Sequence, residues 1–174
     1  MSKCLNLVRK KRNNVASHKL LWGPLPVPRR SFIALLSILN SLSTKSRQLR
    51  RGRNIDTTCS LFQQAPEDRD HFQVQQAPED RDHLFFSCSF TKKIWQCFLK
   101  KSGICRLAIG RRSWIVPFLF NRRILRCSCV YQIWKERNMR AHGFDGTVAS
   151  VIVHRISSFD KLRLYKTKIY RKLS

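Results

Sequence analysis

The sequence predicts a mainly α fold: a small helical domain behind a flexible basic leader, ending in a long basic helix. Three observations predict it. Apolar residues recur at helical spacing in four segments, glycine or proline punctuates those segments, and few stretches alternate with period two. The chain has 174 residues, 43% of them hydrophobic, which suits one modest domain with tails and a core of its own.

Taken in order, residues 1–30 are basic and broken by Pro24, Pro26 and Pro28, which reads as an extended leader. From Ser31 the pattern turns helical through Phe32, Leu35, Leu36, Leu39 and Leu42, with Gly52 as the expected stop after Arg50 and Arg51. Residues 53–88 read as loop, because each Ala-Pro pair discourages helix at the alanine. A second helix is expected over 90–101, with Phe90, Ile94, Cys97 and Phe98 on one face and Gly103 beyond its end. A third fits 121–141 through Ile124, Cys127, Tyr131 and Trp134, closed by Gly143. Asp145 or Thr147 then caps a fourth, running to about Leu173 through Val148, Ile152, Phe159 and Leu162. The expected division is a leader over 1–30, a unit over 31–105 containing a duplicated loop at 63–83, and a basic helical region over 106–174.

Charge narrows the partner. Lys and Arg number 35 against 10 Asp and Glu, a net +25, and six of the ten acids lie in 63–83. Such a surface repels itself unless a polyanion or counterions neutralise it. RNA or DNA bound without sequence preference is the leading expectation, an anionic membrane surface the rival, and basicity that serves no partner a third reading. No apolar run approaches the ~20 residues that span a bilayer. The N-terminus lacks a secretory pattern, and RKKR at 9–12 favours the nucleus. The absence of acids before Asp56 also suits an organelle transit peptide.

The string QQAPEDRDH occurs twice, at 63–71 and 75–83, and only the second copy runs on into LFFSC. Two copies with almost no apolar ridge do not make a solenoid, so the repeat reads as a duplication in which one copy belongs to the fold and the other is an inserted loop. Its carboxylates Glu67, Asp68 and Asp70 read as an exposed charged loop in preference to a Mg²⁺ cluster. Seven cysteines without a signal peptide favour free thiols or metal ligands over disulfides. Cys59, with His83-x4-Cys88 downstream, has the residue types zinc prefers, but the usual Cys-x2-Cys turn is missing because Phe62 occupies its second position. From spacing alone, two buried thiols and a loop histidine remain the competing explanation. Cys127-Ser-Cys129 lies within a helical run that sends its thiols to different faces.

A broader pattern bears on that choice. SFIALLSILNSLSTKSRQLRRGRNIDTTCSLF (31–62), HLFFSCSFTKKIWQCF (83–98) and IWKERNMRAHG (133–143) resemble, in order, the zinc-binding domain of plant LINE-type reverse transcriptases and the helix that follows it. That family typically reads F-x-x-W-L, a Leu-x-Thr helix, a Trp-Gly pair, C-x-L-C and His-Leu-Phe-Phe-x-Cys. Here Leu35 replaces the tryptophan, Arg51-Gly52 replaces Trp-Gly, and Phe62 replaces a ligand cysteine. The resemblance therefore implies a degenerate zinc-binding loop in which Cys59, His83 and Cys88 survive as ligands, with His71 of the other copy as a candidate fourth. It implies zinc held weakly or lost, and a non-catalytic fragment of a retroelement protein that binds nucleic acid.

No enzyme is expected. Outside the repeat only Asp56, Glu136, Asp145 and Asp160 remain, too few and too scattered for two-metal phosphoryl transfer. Phosphate contacts are assigned to Arg155, Lys161, Arg163, Lys166, Lys168, Arg171 and Lys172 on the last helix. Trp22, Trp95, Trp114 and Trp134 sit beside basic residues as base-stacking groups do, but Trp95 and Trp134 fall on apolar faces and are assigned to the core. The alternative function is a basic helical interaction module that binds acidic partners or membrane without metal.

Overall fold

A computed structural model describes residues 27–61, 78–101 and 123–173, with backbone alone for Lys101, Arg123, Ile124, Leu164 and 166–173. The leader before Val27, the first repeat copy, Phe62 and His71 lie outside the described residues, as do Trp22, Trp114, Cys4 and Cys105. The elements are α1 (Pro28–Ile38), α2 (Lys45–Leu49), a π-type turn (His83–Ser87), α3 (Ser89–Lys101), α4 (Arg123–Ala141) and α5 (Ala149–Leu173). The protein is mainly α, as its periodicity predicts. Among the described residues, extended pairing is limited to one isolated bridge, Thr58 to Pro78.

The first helix departs from expectation at both ends. It begins at Pro28, inside the stretch assigned to the leader, because proline's fixed φ and missing N–H suit the first helical position. It stops at Ile38, and Asn40 takes a φ of +49°, which breaks the expected single helix into α1 and α2. Gly52 follows α2 with a φ of +81°, where a side chain would be strained.

Helix α4 is the centre of the core: α1, α3 and α5 all pack on it, and six consecutive residues, Leu125 to Val130, are buried. Cys127 and Cys129 do face different ways, yet both are buried, because a helix enclosed on several sides has no solvent face over that turn. The expected stripe is thereby corrected: Tyr131 and Trp134 are only half-buried, whereas Ile133 and Cys129 are fully enclosed. On α1 the buried residues are Ser31, Ala34 and Ser37, while Phe32 is 52% exposed. Small side chains let α1 approach α4 closely, and Ser37 Oγ satisfies itself on the Ala34 carbonyl at 2.7 Å. On α5, Ile152 and Ile156 face inward, and Val148 and Leu162, expected on the same face, are exposed. Trp95 is buried as expected, its indole N–H bonded to the Phe85 carbonyl at 2.8 Å and its ring stacked with Phe86.

Three acids among the described residues work inside the protein. Glu79, Glu136 and Asp160 are all buried. Glu79 belongs to the second copy of the repeat, so this one carboxylate is an internal structural group, while its neighbours Pro78 and Asp80 are exposed. Its Oε1 accepts Arg137 Nε and Nη2 at 2.8 and 2.6 Å and the Lys45 N–H at 3.0 Å, and its Oε2 accepts the Ser60 N–H at 3.2 Å.

Candidate metal centre

Cys59 lies in the turn after the Thr58–Pro78 bridge, where neighbouring polar groups hold the chain. Asp56 Oδ1 accepts both the N–H and the hydroxyl of Thr58, and Lys45 Nζ donates to the Thr58 carbonyl at 2.7 Å. His83 opens the π-type turn, its N–H held by Asp80 Oδ1 at 2.6 Å. Leu84, Phe85 and Phe86 are buried and anchor that turn, while Cys88 follows it with its N–H on the His83 carbonyl. Cys88 immediately precedes α3, and the Thr91 N–H of the first helical turn points at its sulfur.

These segments bring Cys59, His83 and Cys88 together: one donor atom from each lies within 4.8 Å of the other two. Both thiols are buried and His83 is half-buried. The two sulfurs share a proton unequally. The Cys59 hydrogen bond holds Cys88 down to about 4, against the opposing effect of burial and with help from the His83 imidazole and the Thr91 N–H. Cys59 is pushed up, first by donating that hydrogen bond and then by burial. A Cys88 thiol held below its ordinary value within a buried cluster suits a thiophilic cation, which binds the thiolate form.

The donor set fits zinc on two further counts. Two sulfurs and an imidazole are ligands that zinc takes. Nε2 of His83 is buried without a hydrogen-bond partner among the described residues, a costly state for a nitrogen that carries a lone pair or a proton. The fourth position is the one expected of Phe62, and both it and His71 fall outside the described residues.

The expected phosphate-contact residues are partly visible. Arg155 and Lys161 are exposed on α5, and Arg163 is half-buried with its guanidinium 5.7 Å from the Phe159 ring centre. The side chains of Lys166, Lys168, Arg171 and Lys172 lie outside the described residues.

Sequence reading missed the charged network behind the site. Arg140 donates to Glu136 Oε1 at 2.9 Å, to the Leu61 carbonyl at 3.1 Å and to the Thr147 carbonyl at 3.0 Å, and lies over the Phe90 ring. The available signal was scarcity: in so basic a chain, each acid outside an obvious loop is a candidate internal counter-ion.

Comparison with known proteins gives one match. Residues 1–75 match the family described as zinc-binding in reverse transcriptase, a stretch that contains Cys59 and ends before His83 and Cys88. No curated protein and no solved structure matches the chain. Over residues 1–75, less than half of its length, the chain is similar to the reverse-transcriptase zinc-binding family.

Proposed function

We propose that this protein is a non-catalytic, nucleic-acid-binding remnant of a plant LINE-type retroelement reverse transcriptase. In it Cys59, His83 and Cys88 hold zinc and the basic surface holds RNA or DNA. The observation that carries the metal reading is the convergence of those three donors from two separate segments. Zinc bound there would act structurally, cross-linking the Cys59 turn to the start of α3. With phenylalanine at 62 the protein supplies three ligands, so affinity falls below that of a complete site.

The net +25 supports a polyanionic partner, read mostly through phosphate contacts and with little sequence preference. Catalysis has no place in this reading, because the acids Glu79 and Glu136 are engaged with arginines inside the fold.

The test is zinc content and affinity of the purified chain, with a salt titration of its binding to single-stranded RNA, duplex DNA and anionic vesicles. Bound zinc and steeply salt-dependent nucleic-acid binding support the proposal. Tight vesicle binding without nucleic-acid binding at low salt supports the interaction-module alternative instead.

A further inference from the structure

We infer that Arg137 and Arg140, about one turn apart on α4, are positioning residues for the metal centre. They hold the Cys59 turn in register with His83 and Cys88 from a helix that contains none of the three ligands. The consequence for metal affinity rests on the proposed zinc reading; the positioning itself does not.

The need for such a brace follows from connectivity. The Cys59 half-site and the His83–Cys88 half-site are joined covalently only through residues 60–82, a stretch long enough that the chain by itself does not fix their separation. Arg140 touches both halves directly, and Arg137 links them through Glu79. Arg137 grips the Glu79 carboxylate through two nitrogens, and the other oxygen of that carboxylate takes the N–H of Ser60, the residue after Cys59. Glu79 also precedes Asp80, whose side chain holds the N–H of His83. Arg140 donates to the carbonyl of Leu61, the residue whose N–H points at the Cys59 sulfur. Its guanidinium lies 4.6 Å from the ring centre of Phe90, two residues beyond Cys88.

The chemistry asks for arginine specifically. Arg140 meets acceptors in three directions through three nitrogens, and Arg137 places two on one oxygen; a lysine keeps the charge without that fork. The brace is also fixed at its own base: Glu136 binds both Arg140 and the Thr147 N–H, and a side chain at Gly146 would meet the Arg140 guanidinium at 2.7 Å.

The test uses the full chain with Arg137→Lys, Arg140→Lys, the neutral pair Glu79→Gln with Arg137→Met, and the core control Ile156→Val. The neutral pair leaves no unpaired buried charge and keeps the test available if a single variant does not fold. Cobalt binding is followed by its thiolate charge-transfer absorption at a temperature where circular dichroism shows each protein folded. In metal-free protein, equilibration with oxidised and reduced glutathione, mapped by peptide mass, reports how readily Cys59 and Cys88 form a disulfide. In that exchange two thiols lose two electrons and two protons, and one oxidised glutathione becomes two reduced molecules.

The arginine variants should bind cobalt about 10–100-fold more weakly, the range for losing an outer-shell partner, and form the disulfide less readily; Ile156→Val should change neither. If the wild type shows no cobalt band but the variants still lose disulfide, the zinc reading fails and the positioning stands. Folded arginine variants with wild-type values in both measurements would overturn the inference, as would equal losses in Ile156→Val.

Discussion

Glu67 and Glu79 occupy the same place in two identical nine-residue strings, so the same substitution in each isolates position from chemistry. Glu79 is fully buried, and four hydrogen bonds end on its carboxylate. Glu79→Ala leaves the Arg137 guanidinium buried and uncompensated, a loss of about 3–5 kcal/mol. The N–H groups of Lys45 and Ser60 also lose their acceptor, although water entering the space left behind replaces part of that bond. We expect a net destabilisation of about 4–6 kcal/mol, against a typical total of roughly 5–15 kcal/mol. For a chain of this length the midpoint should fall by about 2–4 °C per kcal/mol, so roughly 8–24 °C. Glu67→Ala should stay within about 0.5 kcal/mol. The assay is urea and thermal unfolding by circular dichroism at matched ionic strength. Both variants remove one negative charge from the same local sequence, so solubility and net-charge effects largely cancel. Equal losses, large or small, would refute the reasoning, since either copy would then be able to seat against α4.

Further outcomes can be read in parallel. Phe62→Cys should raise zinc affinity substantially by restoring a fourth thiolate, measured by competition with a chromophoric chelator. Deleting residues 64–75, which leaves one copy joined to LFFSC, should keep or slightly raise the unfolding midpoint, because loop length by itself costs little. Between Cys88's pKa of about 4 and the raised pKa of Cys59, zinc uptake should release about one thiol proton, from Cys59 alone. Affinity therefore rises with pH across that window, and calorimetry in buffers of different ionisation enthalpy counts the proton; release of two at neutral pH would contradict the unequal sharing. Replacing Lys166, Lys168, Arg171 and Lys172 with glutamine should flatten the salt dependence of nucleic-acid binding by roughly two to four units in log–log slope.

Much of the fold was legible because its signals are local. The bounds of α3 and α4 came within about two residues of expectation, since an apolar stripe and a following glycine act over one or two turns. Which copy of the repeat is seated was also foreshadowed. The second runs into Leu84, Phe85 and Phe86, all buried, where the first continues as Phe72-Gln73-Val74. Burying a leucine or phenylalanine side chain stabilises by about 1.5–3 kcal/mol, so the copy with the longer apolar sequel wins the place.

Residue order alone thus determined α3, α4 and the seated copy, because apolar periodicity and the Leu-Phe-Phe sequel belong to side chains near one another in the chain. Tertiary structure decided the rest. It placed Ser31, Ala34 and Ser37 against α4 in place of Phe32, a choice set by how closely two helices approach and invisible to a count of apolar residues. It also chose Arg137 for Glu79 and Arg140 for Leu61 from a chain with 35 basic residues. Charge attracts any of those residues to any acid; packing brings one guanidinium to a buried carboxylate with the geometry that offsets its desolvation.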